Sequence, residues 1–252
     1  MLVEQTLERL NAMKLFGMAK AMREWTEKPR DKDISPADLV GFIADAEWVS
    51  RENRKLQLRL AAARFKLQAC VEDIDYGHGR NLPKSVVMEL ASSRWVQQHQ
   101  NVIVTGYTGL GKSYLACALG QKACRDGFSV VYRRATRLFD ELALARADGS
   151  YTQLLKRFAK AEVMVLDDFG LEALTAQHRK DLLEILDDRY NTSSTIITSQ
   201  LEPKEWHAVI GDPTLADAIC DRLVHNAHRI KLAPAESIRK TEGLTGKQKT
   251  AK

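Results

Sequence analysis

The sequence predicts an α/β protein: a parallel β-sheet covered by helices on both faces, preceded by a small all-helical N-terminal segment. Three observations predict it. The first is Gly106-Tyr107-Thr108-Gly109-Leu110-Gly111-Lys112-Ser113, which fills every fixed position of the phosphate-binding pattern G-x-x-x-x-G-K-[ST]. The second is its setting. The β-branched run Asn101–Thr105 precedes it and the Ala- and Leu-rich stretch Tyr114–Arg125 follows it, giving strand, loop and helix in the required order. The third is recurrence: apolar runs at Phe128–Tyr132, Val163–Leu166, Thr195–Ser199 and, more weakly, His228–Leu232 are separated by helix-forming stretches. Parallel strands are therefore expected, with ligands at their carboxyl ends.

From the amino end, Leu7, Leu10, Leu15, Met18, Ala19 and Met22 recur at three- and four-residue steps and predict one amphipathic helix over Thr6–Glu27. A charged turn over 28–33 follows. Ser35 is placed to cap a second helix that opens on Pro36 and runs to about Phe65, with or without a break. Its second half sets Arg51, Arg54, Lys55, Arg59, Arg64 and Lys66 against Glu52 alone, which makes either a solvated face or a phosphate-binding one. From Val71 to Leu82 the chain turns polar and carries Gly77 and Gly79, the mark of a linker. The expected domains are thus 1–70, helical, and 71–240, the α/β domain, with a helix over Pro83–Gln98 leading into the first strand. Residues 241–252, rich in Lys, Thr and Gly, are expected to form a disordered basic tail.

The 252 residues leave room for a small unit beside an α/β core of ordinary size. Lys and Arg number 38 against 33 Asp and Glu, a formal net charge of +5 that suits nucleic acid without requiring it. Cys70, Cys117, Cys124 and Cys220 form no C-x-x-C pair and match no zinc spacing, so reduced thiols are expected and no metal other than Mg²⁺. No stretch approaches a membrane span, and Glu4, Glu8 and Arg9 stand where a signal peptide would be apolar. A cytoplasmic protein with no membrane partner is expected.

The chemistry follows from residue types at their spacing. Glycines let successive amides of residues 106–114, Tyr107, Thr108, Leu110 and Tyr114 among them, turn toward the phosphates of ATP, and the helix N-terminus adds its positive end. Lys112 is expected on the β/γ oxygens and Ser113 on Mg²⁺. The apolar run Val163–Leu166 ends in Asp167-Asp168, and an acid at that place in P-loop enzymes orders the metal while a second polarises the attacking water. Asp167 is assigned to the metal and Asp168 to the water. Ser199 and Gln200 close the neighbouring strand, either as hydrogen-bond donors to the γ-phosphate or water or as an ordinary polar strand end.

Together these residues carry a family resemblance. Asp45-Ala46-Glu47-Trp48 with Arg51-Glu52-Asn53-Arg54, Ala63-Arg64-Phe65, the P-loop, Leu166-Asp167-Asp168-Phe169-Gly170, Ser194–Ser199 and Ala218–His228 resemble the IstB family nearly end to end. These are ATP-binding helpers of bacterial insertion sequences, related to the DnaC helicase loaders within the AAA+ ATPases. The resemblance implies an AAA+ sheet of five parallel strands, an ATP- and Mg²⁺-dependent ATPase, and homo-oligomers in arcs, rings or helices that bind duplex DNA and act with a cognate transposase. It also implies that Arg222 is offered to a neighbour's γ-phosphate; from the residues alone Arg222 reads as a partner of Asp217 or Asp221. Arg239 resembles a second phosphate-touching arginine, although Ala235 stands where relatives tend to have glycine, and Tyr107 and Thr108 replace the usual two prolines.

Too few residues follow the fifth strand for a full helical C-terminal lid, so a neighbour, the N-terminal helices or a lid from another protein is expected to complete the pocket. The DNA contacts expected are Arg51, Arg54, Lys55 and Arg59 on the basic helix and Arg133, Arg134 and Arg137 beyond the second strand. The function implied is an ATP-dependent helper that assembles on target DNA, selects and remodels the site and stimulates the transposase. The alternative is a DnaC-like loader or scaffold in which ATP is structural.

Overall fold

The computed structural model describes residues 2–27, 35–77 and 81–232. The turn at 28–33, Gly79, Arg239, the place of a lid and the tail 241–252 lie wholly or partly outside the described residues. The chain divides into two compact units, 1–58 and 59–252, so the division falls ahead of the position near residue 70 that composition suggests.

The first unit holds α1 (Leu2–Ala12), α2 (Phe16–Glu27) and most of α3 (Pro36–Ala63). The single helix expected over Thr6–Glu27 is broken. Leu15 N–H donates to the Leu10 carbonyl and Lys14 takes φ 60°, a left-handed helix end built on a non-glycine residue. Apolar spacing continues across the break, so period alone does not reveal it. The α3 helix is unbroken, and Ser35 Oγ accepts from the Asp38 amide at 3.1 Å, capping it from the position expected.

Glu47 joins α3 to α2. Its carboxylate accepts from the Gly17 amide at 2.7 Å and the Met18 amide at 3.1 Å, capping the first turn of α2 in place of a local side chain, and Arg51 pairs with it at 2.7 Å. The helices touch here. A Cβ on Gly17 would lie 2.5 Å from the Ala46 carbonyl oxygen and 2.7 Å from Glu47 Cα, so only glycine permits the approach.

The second unit is the α/β domain. Its elements are α4 (Lys84–Leu90), α5 (Arg94–Gln97), β1 (Asn101–Thr105), α6 (Lys112–Arg125), β2 (Val130–Arg134), α7 (Ala135–Asp148), α8 (Tyr151–Lys160), β3 (Val163–Phe169), α9 (Ala176–Arg189), β4 (Ser194–Ser199), a 3-10 turn (Pro203–Glu205), α10 (Trp206–Ile210), α11 (Pro213–Val224) and β5 (Ala227–Lys231). The helix expected over Pro83–Gln98 is two short ones, divided where Ser93 takes φ 56°. All strand pairs are parallel, in the order β2-β3-β4-β1-β5.

The central strands are buried on both faces, which is why they read as continuous apolar runs. Ile103, Met164, Leu166 and Ile197 join the core formed with α7 to α11, whereas Val165 approaches Gly120 of α6 on the other face. Cys117 and Cys124 pack inside α6, where burial pushes their thiols up to about 11 and about 12, so both are neutral core groups.

The Glu47 cap predicts a pH dependence. Arg51, with the Met18 and Gly17 amides, holds the carboxyl below its ordinary 4.5 against the opposing effect of burial. Its stabilisation is therefore complete above the unfolded value and is lost as pH falls through the lower folded one. Glu47→Gln is expected to weaken protection of the Gly17 and Met18 amides at neutral pH by about 1 kcal/mol. Hydrogen exchange checks this, and the gap from wild type should close in acid.

Candidate nucleotide-binding site

Gly106 leaves the carboxyl end of β1 with φ 143°, and Gly109 and Gly111 follow at φ 89° and 85°. At Gly106 the space is also closed, since a Cβ would lie 2.6 Å from the Leu232 carbonyl oxygen. Gly111 is the N-cap of α6 and makes no side-chain cap, so the first amides of α6 have no intrahelical acceptor. Among the described residues the amides of Thr108, Gly109 and Gly111 also donate to no protein acceptor. This donor set at a helix N-terminus fits a polyphosphate. Lys112 is buried and its Nζ donates to the Tyr107 carbonyl at 3.0 Å, reaching back across the loop. Leu110 is buried beneath the loop, Tyr107 is exposed, and the Tyr114 hydroxyl lies 3.5 Å from the Cys70 carbonyl.

The acid pair sits on an irregularity. Leu166 pairs with Ile197 and Phe169 with Ser199, so β3 carries one more residue than β4 over the same span. The extra residue forms a bulge in which Asp168 takes φ 59°, a conformation that Asp tolerates better than most residues. Asp167 is fully buried and its carboxylate accepts three hydroxyls, from Ser113 at 2.8 Å, Thr198 at 2.6 Å and Tyr132 at 2.6 Å. Thr198 Oγ1 also accepts the Asp168 amide at 2.9 Å. The Asp168 carboxylate pairs with Arg134 Nη2 at 2.9 Å. Burial and the neighbouring Asp167 push the Tyr132 phenol far above its ordinary value, so it remains a donor.

The structure therefore joins Ser113 directly to Asp167 and sets Asp168 beside them. A serine hydroxyl and a carboxylate in contact at a phosphate cradle are hard oxygen donors that fit Mg²⁺. Ser199 does not join them: its hydroxyl donates to the Phe169 carbonyl at 2.7 Å and accepts the Leu201 amide at 3.1 Å, which ties β3 to β4. Gln200 is exposed just beyond β4. The sequence reading missed Thr198 and Tyr132. Thr198 was visible as a hydroxyl one place before the strand end, but choosing it over Ser199 requires the bulge. Tyr132 was visible only as a strand residue.

Arg222 lies elsewhere. The Asn101 side-chain amide donates to the Arg222 carbonyl at 2.9 Å, which puts this arginine at the amino end of β1, a strand length of roughly 13 Å from the loop that leaves its carboxyl end. Its guanidinium pairs with Asp187, donates to the Ala218 carbonyl at 2.7 Å and lies over the Tyr190 ring at 5.9 Å. The partner is Asp187 of α9 and not the adjacent Asp217 or Asp221.

The arginines expected on DNA differ in kind. Arg133 is corrected: it is buried, pairs with Glu141, donates to the Tyr132 carbonyl and lies 5.7 Å from the Phe158 ring centre, so it is a core residue. Arg134 is held by Asp168. In the first unit Arg51 pairs with Glu47, Lys55 pairs with Glu52 and Arg54 lies over Phe16 at 5.1 Å, all with exposed side chains. Arg59 donates to the Cys124 carbonyl at 3.3 Å, and Arg137 is exposed.

The family model described as IstB-like ATP binding protein matches residues 8–245. The chain belongs to this family. An insertion-sequence ATP-binding protein of Sinorhizobium fredii is 50% identical over 96% of this chain and 98% of its own length. The ATP-binding protein of insertion sequence IS1162 from Pseudomonas fluorescens is 42% identical over 80% and 87%. Solved DnaI is similar at a TM-score of 0.57 and 22% identity, covering 66% of this chain and 91% of that one. The DnaC helicase loader is similar at 0.55 and 19%, covering 65% and 96%. These likenesses establish the AAA+ P-loop fold for this IstB-like chain. Among its described residues no helix is long and apolar enough to cross a membrane.

The three hydroxyls on Asp167 predict a stability effect at the IstB-like site. Tyr132→Phe keeps the ring and removes one donor to a buried charge, an expected loss of about 1.5–3 kcal/mol. Urea unfolding of the whole chain measures it. No change would mean that water replaces the phenol.

Proposed function

We propose that the chain is an Mg²⁺-dependent ATPase that assembles on duplex DNA, prepares the target site and stimulates the transposase of its insertion sequence. The observation that carries the reading is the 2.8 Å contact of Ser113 with Asp167, which links the phosphate cradle to the acid pair. In the working state Lys112 leaves the Tyr107 carbonyl for the β/γ oxygens, and Ser113 and Asp167 would hold Mg²⁺, which when bound would neutralise negative charge on the nucleotide. Asp168 orients a water and accepts its proton as the water attacks the γ-phosphorus and the bond to the β–γ bridging oxygen breaks, releasing ADP and phosphate.

Arg222 serves the site of a neighbouring copy, since it stands at the opposite end of its own sheet from the cradle. DNA is held mainly through its backbone by cations, the exposed Arg51, Arg54, Lys55 and Arg137 and the half-buried Arg59 among them. Cytoplasmic action follows from this role. The names of the relatives, insertion-sequence ATP-binding proteins, support the transposition setting.

Two mutants separate binding from chemistry. Lys112→Ala is expected to abolish ATP binding, whereas Asp168→Asn binds ATP and loses about 10²–10⁴-fold in turnover, the usual worth of a general base. Equilibrium binding and single-turnover hydrolysis check this, with and without duplex DNA and transposase. Normal hydrolysis by Asp168→Asn would remove it from the base role.

A mixing experiment locates Arg222. Arg222→Ala alone is expected to lose about 10³–10⁵-fold in turnover. Mixed with Lys112→Ala it should regain activity, because some interfaces then pair an intact arginine with an intact cradle. A mixture as inactive as its components would assign Arg222 to its own subunit or to structure.

A further inference from the structure

A cleft of about 380 Å³ opens at the amino ends of β1 and β4, beside Arg222. Arg189, Arg222, His99 and His225 line it together with Asn191 and Asn226, and no carboxylate does; Asp187, the partner of Arg222, stands outside the lining. Part of the polar wall is spent on the fold. Arg189 donates to the carbonyls of Phe158, Ala161 and Ser194, and the Asn101 side chain donates to those of Arg222 and Leu223. Asn101 thereby covers last-turn carbonyls of α11 that would otherwise repel an anion. The rest is uncommitted. The side chains of His99, Asn191, His225 and Asn226 have no hydrogen-bond partner among the described residues, and Arg222 spends Nε on Asp187 and Nη1 on the Ala218 carbonyl, which leaves Nη2.

We propose that this cleft receives the γ-phosphate of ATP bound to a neighbouring copy, and that His225 is a second donor to it beside Arg222. The proposal rests on the reading of Arg222 as the arginine that serves a neighbour. A cleft lined by N–H donors and guanidinium groups, with no acid among them, selects an anion. The chain's own nucleotide is out of its reach, since the cradle lies at the opposite end of the sheet. Spacing singles out His225. It follows Arg222 by three residues and keeps helical dihedrals, φ −62° and ψ −43°, so the two side chains leave one face of α11 with about 5–6 Å between their Cβ atoms. Side chains that start this close can converge on one phosphoryl group. An imidazole carries at least one N–H in either charge state, so His225 can donate without first gaining a proton. Charge spreads over the equatorial oxygens of the γ-phosphoryl group during transfer, and a donor aimed there acts on turnover more than on binding.

The test measures turnover and half-saturation of the intact chain with Mg-ATP while light scattering records assembly. His225→Ala is expected to assemble as wild type, to keep its half-saturation and to lose about 10²-fold in turnover, the usual cost of one donor to developing charge. His225→Gln keeps an N–H and is expected to lose no more than about tenfold. Mixed with Lys112→Ala, His225→Ala should regain activity, because some interfaces then pair an intact His225 with an intact cradle. Unchanged turnover in His225→Ala, a loss that tracks failed assembly, or a Gln variant as slow as the Ala one overturns the proposal. If the His225→Ala mixture stays inactive while the Arg222→Ala mixture recovers, the neighbour reading stands and His225 fails. If the Arg222→Ala mixture stays inactive, that reading fails and the proposal with it. Inorganic phosphate separates the source of the anion. Titrated into Lys112→Ala, whose own cradle is disabled, it is expected not to saturate the NMR shift of the His225 imidazole below about 1 mM; saturation below that would assign the cleft to a free anion.

Discussion

One extra residue in β3 arranges the candidate site. On a regular strand consecutive side chains point to opposite faces, so Asp167 and Asp168 could not both serve one mouth of the sheet. The bulge removes that restriction by turning Asp168 into the left-handed region, at a cost of order 1–2 kcal/mol for a non-glycine residue. The neighbouring strand offsets it. Thr198 takes the Asp168 amide that the bulge displaces from the ladder and donates to Asp167 as well. Phe169 then fixes the exit: it is fully buried, stands edge-on to Trp206 at 5.0 Å, and its carbonyl accepts the Ser199 hydroxyl. Moving any one of these residues would move the acids.

This explains what could be read from the sequence and what could not. The strands of the sheet were legible because burial on both faces leaves runs such as Val163–Leu166 with no polar interruption. The P-loop was legible because its glycines hold φ values that other residues avoid. The distinction between Thr198 and Ser199 was not legible. Their roles depend on a register shift that exists only once β3 and β4 are paired. The helix breaks at Lys14 and Ser93 were hidden for a related reason, since left-handed conformation without glycine leaves no mark in residue type.

Charge counting failed in a different way. Arg51, Arg54, Lys55, Arg133 and Arg134 look alike in the sequence, yet the fold gives them a carboxylate cap, an aromatic face, a helix neighbour, a buried core position and the Asp168 carboxylate. Arg189 is the extreme case. It is buried and donates to the carbonyls of Phe158, Ala161 and Ser194, and burial lowers its pKa to about 9. A positive residue thus becomes a candidate for phosphate only after its local acceptors have been subtracted, and among the described arginines beyond β2 that leaves Arg137.

The same subtraction bears on why a single chain would be a poor ATPase under the proposed reading. Two of the groups assigned to act at a γ-phosphate besides Lys112 are held in partly exposed ion pairs, Asp168 by Arg134 and Arg222 by Asp187. Pairs of this kind contribute at most about 1 kcal/mol, so they set a resting arrangement without locking it. A neighbour's nucleotide presents more negative charge to Arg222 than Asp187 does. Assembly would then act at the amino ends of the strands, where Arg222 stands, and the acid pair at the carboxyl ends would belong to the chain's own site. Hydrolysis would be fast only where a neighbour's nucleotide has drawn Arg222 away from Asp187, which ties the loss of ATP to an assembled subunit.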